Sequence, residues 1–381
     1  MPMRSSTPRL VVALLTLFQT SVYAQAEADA PSQPAPPPHN RTEAIEIIRG
    51  LRHIVTPTGI EEAKTVRIGG IDQFLTIRGQ DRHNPVLLVL HGGPGYVEAP
   101  LSWWYAHPWE DYFTVVEWDQ RGAGKTYMLN DPKMIASTMT PQRMNADVDE
   151  MVQYLREHLS KSKILVVGHS WGSYLGLELA RRHPDWLYAY VGVAQLTNGP
   201  ESERRAYTNS ITQAQRTHND EALKELKAIA PYPRPHAPIE AIATSHKWSD
   251  YFGGVMAYRH DQSEESHAVR LSPDYTDAEE PHIYDGNGFS ERYLLSFVLD
   301  QDYSKQTQFK CPIVIFGGRH DRTVNSELAF EWLQAVKAPA KRFVWFENSA
   351  HEPMTEEPGK FLDALVHYVR PFAVDADTAA K

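Results

Sequence analysis

Ile164-Leu165-Val166-Val167 runs straight into Gly168-His169-Ser170-Trp171-Gly172-Ser173, and the chain resumes as Tyr174-Leu175-Gly176-Leu177-Glu178-Leu179-Ala180. An apolar run that breaks at Gly-x-Ser-x-Gly and continues with helical spacing predicts a buried strand, a tight turn and a helix, with Ser170 at the apex. Glycines flank the serine at two-residue spacing because side chains there would collide across so sharp a turn. The turn lifts the Ser170 hydroxyl clear of the backbone, which makes it a candidate nucleophile. The N–H groups at the start of the helix beginning at Trp171 face the same point, where negative charge on a substrate oxygen would be stabilised.

Working outward, strands and helices alternate on both sides of this turn. Lys64 to Ile68 and Phe74 to Arg78 read as two strands around the turn Gly69-Gly70, followed by the more buried strand Pro85 to Leu90. That strand runs into His91-Gly92-Gly93-Pro94-Gly95, a loop whose backbone N–H groups can approach a substrate oxygen because no β-carbon obstructs them. Phe113 to Trp118 is a further strand, ending in Asp119-Gln120-Arg121-Gly122-Ala123-Gly124-Lys125-Thr126. A nucleotide-binding reading of this segment fails, since Asp119 stands where a Walker loop needs its first glycine. Thr140-Pro141 caps a helix with an apolar stripe at Met144, Val148, Met151, Val152, Leu155 and Leu159, and Leu187 to Val193 is another strand. After residue 310 come a strand from Cys311 to Phe316, a helix from Ser326 to Val336, a strand from Arg342 to Phe346 and a helix from Lys360 to Val369. Such alternation calls for an α/β fold, a mostly parallel central sheet with helices on both faces. Residues 196–310 break the rhythm with helical pieces such as Ala222 to Ala230, the Pro-rich turn Pro231-Tyr232-Pro233-Arg234-Pro235 and the aromatics Trp248, Tyr251, Phe252, Tyr258 and Tyr293. They read as a mainly helical cap inserted into the sheet domain, which itself takes residues 42–195 and 311–372.

A serine hydroxyl is a weak nucleophile at neutral pH and needs a base to take its proton and an acid to orient that base. On a sheet of this kind the order is Ser, then Asp or Glu, then His. His351, in the loop Glu347-Asn348-Ser349-Ala350-His351-Glu352-Pro353 after a strand, is the candidate base; His367 lies inside the closing helix. Asp321, in Gly317-Gly318-Arg319-His320-Asp321 after a strand, is the candidate acid, with Glu347 as the alternative. No metal spacing is present, because Thr355 stands where a zincin would have its second histidine after His351-Glu352. His169 and His320 read as supporting or packing residues. No cofactor is called for.

The chain has 381 residues with 42% hydrophobic content, enough for a sizeable core. Arg4 and Arg9 precede the apolar run Leu10 to Phe18, and small residues lead to Val22-Tyr23-Ala24 and Ala24-Gln25-Ala26. This is the pattern of a signal peptide over residues 1–24, so export to the periplasm or beyond is expected. Residues 25–41, rich in Ala and Pro, read as a disordered linker, and residues 373–381 as a disordered tail. The net charge of −10 argues against nucleic acid as a partner. The single cysteine, Cys311, excludes an internal disulfide and reads as a buried structural thiol.

His91-Gly92-Gly93-Pro94-Gly95, Asp119-Gln120-Arg121-Gly122, the Gly168-to-Ser173 turn and the Asp321 loop together resemble the proline iminopeptidase branch of the α/β-hydrolases. The likeness covers roughly Lys64 to Gln195 and Cys311 to Arg370. It implies the α/β-hydrolase fold and a serine peptidase that removes an N-terminal residue, usually proline, through an acyl-enzyme. By the same matching, the N–H groups of Gly93 and Trp171 would form the oxyanion hole. Members of the family that act as aminopeptidases hold the free amine with cap acids, often beside a Trp-Glu pair. The nearest stretch here is Trp248-Ser249-Asp250-Tyr251, so Glu201 and Glu203 are taken as anchors, with cap aromatics lining the side-chain pocket. A small peptide is the expected substrate. An ester or lactone substrate for the same triad, and a binding protein with a residual site, are the alternative readings.

Overall fold

The structure is a computed structural model and describes residues 36–374. The expected signal peptide lies outside the described residues, as does the linker up to residue 35. A compact unit begins at His39, and of the unit before it only residues 36–38 are described, exposed and without regular structure. The first helix, α1, spans Arg41–Arg52, with the Asn40 side chain accepting from the Glu43 N–H at its start. Arg41, assigned to the linker from composition, is therefore helical. Its guanidinium donates to the carbonyls of Arg270, Ser272 and Tyr275, so the linker ends earlier than residue 41.

A hairpin follows, β1 (Ile60–Ile68) and β2 (Ile71–Gly79), both longer than expected because their alternating exposed residues masked the pattern. Gly69 and Gly70 turn it at φ of +56° and +78°, a region open to glycine without penalty. The remaining strands are β3 (Val86–Leu90), β4 (Thr114–Trp118), β5 (Ile164–His169), β6 (Leu187–Val193), β7 (Ile313–Gly318) and β8 (Lys341–Phe346). Among the described residues they make one eight-stranded sheet in the order β1-β2-β4-β3-β5-β6-β7-β8, antiparallel on the β1, β2 and β4 side and parallel from β4 to β8. The α/β fold class holds. β3, β4, β5 and β7 are buried along their whole length, as continuous apolar runs require when helices cover both faces. At about 1.5–3 kcal/mol per fully buried aliphatic side chain, this layer dominates the core and holds the strand ends rigid.

Longer helices are numbered in chain order. α2 (Pro141–His158) and α3 (Trp171–Arg182) belong to the sheet domain, together with α9 (Ser326–Ala335) and α10 (Pro358–Tyr368). The Thr140 hydroxyl caps α2 by accepting from the Arg143 N–H, and the stripe Met144, Val148, Met151, Val152 and Leu155 is buried. The cap carries α4 (Gly199–Arg216), α5 (Asp220–Ala228), α6 (Ile239–Tyr251), α7 (Ser263–Val269) and α8 (Asp285–Leu299). It leaves after β6 and returns before β7, two strands that are neighbours in the sheet. Its two stems are stitched together: the Gly199 N–H donates to the Gln301 carbonyl at 2.8 Å and the Tyr303 N–H to the Thr197 carbonyl at 2.7 Å. At the far end, the chain continues helically past residue 372, and Ala373 is fully buried, so the tail starts later than expected. No helix among the described residues is long and apolar enough to cross a membrane.

Candidate active site

Ser170 sits between β5 and α3 at φ 52° and ψ −113°, a strained conformation for a residue with a side chain, costing roughly 1–3 kcal/mol. The turn is held from β6 and from within: the Ser170 N–H donates to the Val193 carbonyl at 3.0 Å, and the Ser173 N–H and hydroxyl both donate to the Ser170 carbonyl. A β-carbon on Gly168 would strike the Gly172 carbonyl, and one on Gly172 would strike the Leu90 carbonyl. The two glycines are thus required by the close packing of the turn against itself and against β3.

Asp321 and His351 meet beside it. The His351 Nδ1 lies 3.3 Å from both Asp321 carboxylate oxygens. Burial pushes the Asp321 carboxyl up, but the His351 ring and the N–H groups of Thr323 and Val324 outweigh it and hold it below the usual range. Asp321 is 2% exposed and stays ionised there. Glu347, the alternative acid, points to solvent and pairs with Arg319. His367 is on the exposed side of α10, against Asp363. Cap residues touch the loops that carry this pair: the Val255 carbonyl accepts from the His351 N–H at 2.8 Å, and the Gly254 carbonyl from the N–H of Arg322, next to Asp321, at 3.1 Å.

Two side chains to which the sequence assigned no role of their own, Gln120 within the Asp119-to-Gly122 motif and Glu98, lock the loops together. Gln120 donates from its amide to the His91 carbonyl and accepts from the Trp171 indole N–H, while its backbone N–H donates to His91 Nε2. His91 consequently carries its proton on Nδ1, which donates to the Gly92 carbonyl, and burial holds its pKa down. Glu98 is the second lock. Its Oε1 accepts both from the Gly92 N–H at 2.9 Å and from His169 Nδ1 at 2.6 Å, and His169 Nε2 donates to the His351 carbonyl at 3.0 Å. A carbonyl can only accept, so both His169 nitrogens bear protons and the ring is an imidazolium. Burial lowers its pKa, yet the Glu352 and Glu98 charges raise it to about 10. The expected packing role of His169 is therefore a specific one: it ties the turn at Ser170 to the glycine loop and the His351 loop. Beside these, Arg121 and Asp147 form a fully buried ion pair that also reaches the Gly69 carbonyl, fixing the first hairpin against α2. His320 instead meets the Tyr258 hydroxyl near the surface.

Gly92, Gly93, Tyr96, Ser170, Trp171 and His351 open onto one cavity of about 170 Å³. Gly93 adopts φ +106°, and neither its N–H nor that of Trp171 is used by the turns and loops of the described residues. The Trp171 N–H is the first of α3 and has no carbonyl within the helix to bond, and the Gly93 N–H lies in a loop where no carbonyl of the described residues takes it, so both stand ready for an external acceptor. The remaining lining is mixed: an aliphatic patch of Leu196, Val255, Leu295, Val298, Leu299 and Val324, and the polar groups His169, His246, Gln262, Asn287, Thr323, Glu291 and Glu352. Neither expected amine anchor is among them. Glu201 pairs with Arg204 and Arg205 on the outside of α4, and Arg204 above all lowers its pKa to about 2. Glu203 is buried, but behind His246, to which it is bonded at 2.9 Å, with the Tyr232 hydroxyl donating to its other oxygen. The cap aromatics also fail as a pocket wall. Trp248 is buried among Ala214, Ala222 and Leu226 inside the cap, while Tyr251, Tyr258 and Tyr293 are surface residues. Tyr96 and Trp171, both from the sheet domain, are the rings that line the cavity.

His169, His351 and Glu352 place one nitrogen or oxygen each within 4.8 Å of one another, a grouping that linear spacing does not reveal. Both His169 nitrogens are already committed as donors, so the ring has no lone pair to offer a metal ion. Cys311 is buried at the start of the β7 segment, and burial pushes its thiol up to about 12, in keeping with a structural role.

A sheet of this order, a serine at a strained strand-to-helix turn after β5, and an Asp and a His after β7 and β8 that meet as a pair define the α/β-hydrolase class. Residues 83–358 match the family described as serine aminopeptidase, S33, and the chain belongs to that family. It is an enzyme of the serine hydrolase type, related to the proline iminopeptidases. A protein of Bacillus subtilis named "Probable aminopeptidase YbaC" is 33% identical over 81% of this chain and 96% of its own length. The proline iminopeptidase of Saccharolobus solfataricus is 23% identical over 80% of this chain and 90% of its own. Among solved structures, the proline iminopeptidase of Mycobacterium smegmatis superposes with a TM-score of 0.59 at 20% identity, covering 83% of this chain and all of that one, a likeness of fold.

Proposed function

We propose that this enzyme is an exported aminopeptidase that releases proline or a similar small N-terminal residue from short peptides. His351, steadied by Asp321, takes the proton of Ser170 as the hydroxyl attacks the first residue's carbonyl. The N–H groups of Gly93 and Trp171 hold the oxyanion, the leaving amine takes the proton, and water then releases the residue from the acyl-enzyme. The observation that carries the reading is the convergence of Ser170, the His351–Asp321 pair and two free N–H groups on one cavity. Its small aliphatic wall suits a proline-sized side chain. The test is turnover of aminoacyl anilides with the amine free or acetylated. Loss of activity on acetylation supports the proposal, and equal rates would end it. The aliphatic wall is also the observation that favours the second reading, an ester or lactone hydrolase, which equal rates would leave standing. Labelling by a fluorophosphonate, abolished in Ser170→Ala, separates both from a binding protein with a residual site.

A further inference from the structure

An aminopeptidase has to recognise an ammonium close to the reacting carbon. The α-nitrogen lies about 2.5 Å from the carbonyl carbon through two bonds, and that carbon approaches the serine oxygen to roughly 3 Å before attack. The group that receives the ammonium therefore lies on the wall of the cavity that holds Ser170 and His351, within about 8 Å of the Ser170 hydroxyl. We propose that Glu352 is that group, which makes the anchor a residue of the sheet domain; the inference rests on the aminopeptidase reading above.

Four observations support it. Glu352 lines the cavity directly after His351, with a carboxylate oxygen inside the 4.8 Å grouping of His169 and His351. It is 9% exposed, and among the described residues no donor reaches its side chain within hydrogen-bond distance. Its nearest cation, His169, is 3.8 Å away and has both protons committed to Glu98 and to the His351 carbonyl. Of the neighbouring acids, Glu98 holds Gly92 and His169 through one oxygen, Glu356 holds the N–H groups of Ala350 and Ala257, and Glu357 holds Asn348 and Ser349, while Glu265, which also has a buried oxygen without a donor, lines a different cavity beside Trp103 and Trp104. A buried carboxylate without donors is costly to ionise, and burial pushes Glu352 up to about 7. An ammonium with three donors fits the deficit, and its charge offsets the repulsion from Glu98 and Glu265 nearby. Glu291, the other carboxylate of the cavity wall, already accepts from the Asn287 amide and stands on α8 of the cap.

The test compares prolyl p-nitroanilide with its cyclopentanecarbonyl analogue, in which the ring nitrogen is replaced by carbon, on the wild type, Glu352→Gln and Glu291→Gln. Fluorophosphonate labelling of Ser170 checks that each variant is folded and keeps its nucleophile. The wild type is expected to prefer the amine-bearing substrate. Glu352→Gln should lose on the order of 100-fold in kcat/KM on that substrate, mainly through KM, and threefold or less on the carbon analogue. Retained preference in Glu352→Gln, its collapse in Glu291→Gln instead, or equal losses on both substrates and in labelling each overturn the assignment while leaving the aminopeptidase reading intact. A wild type indifferent to the amine overturns both.

Discussion

The rim of the sheet and the cap above it are built on opposite principles. At the rim, short loops from β3, β4, β5, β7 and β8 interlock through single buried side chains. Gln120 joins two loops, and one oxygen of Glu98 joins the glycine loop to a histidine that holds a third. In the cap, helices pack through aromatic and alanine surfaces of their own, as Trp248 does with Ala214, Ala222 and Leu226, and where the cap meets the rim the backbone contacts at Gly254 and Val255 are joined by single neutral side chains, Asn287 on the Pro94 carbonyl, Ser290 on the Gly122 carbonyl and Ser202 on the Val324 carbonyl. Precision resides where charged hydrogen bonds are few, buried and shared; shape resides where apolar faces can slide and still be buried.

Mutations can break this contrast from either side. Ser170→Ala should cost the most, roughly 10⁴-fold or more in kcat with unfolding unaffected, measured by turnover and by denaturant titration of the same preparation. Glu98→Gln leaves an imidazolium buried beside a neutral amide, so about 3–5 kcal/mol of stability and roughly 100-fold in kcat should go together as the glycine loop shifts. A stable variant with full activity would show that the rim is no more tightly coupled than the cap.

The same pair makes a pH prediction. The folded protein keeps the His169 proton to about pH 10, whereas an unfolded histidine releases it near 6.5. Its contribution to stability is therefore complete below about pH 6.5 and fades as pH rises through 10, so the stability gap between wild type and His169→Gln should narrow over that window. In the cap, Glu203→Gln should loosen the contacts to Tyr232 and His246 for about 1–3 kcal/mol, with kcat/KM changed less than tenfold. Glu201→Ala, on the outer surface, should leave turnover and melting within error.

The division also explains what the sequence made legible. The turn at Ser170 could be read because its tight packing demands glycine at 168 and 172, and Asp321 and His351 because each follows an apolar run that had to be a buried strand. Gln120 stood inside the Asp119-to-Gly122 motif and Glu98 in none, and for neither did the local sequence show what it bonds. Their partners lie 29 and 71 residues away and depend on the strand order, which puts β3 between β4 and β5. Glu352 was visible only as a failed metal spacing, since its lack of donors is a property of the fold. The anchors placed at Glu201 and Glu203 fell with the helical phase of α4, which turns one toward solvent and seats the other behind His246. Aromatic density in the cap suggested a pocket, but an isolated lid needs a core of its own, and that is where Trp248 went.

The stitched stems of the cap have a wider meaning. Because residues 197–199 and 301–303 run side by side, everything between them is a cassette whose two ends are already joined. Replacing that segment would leave the ends of β6 and β7 joined, but it would also take away the Val255 carbonyl that receives the His351 N–H, so a substitute lid has to resupply that support to the His351 loop.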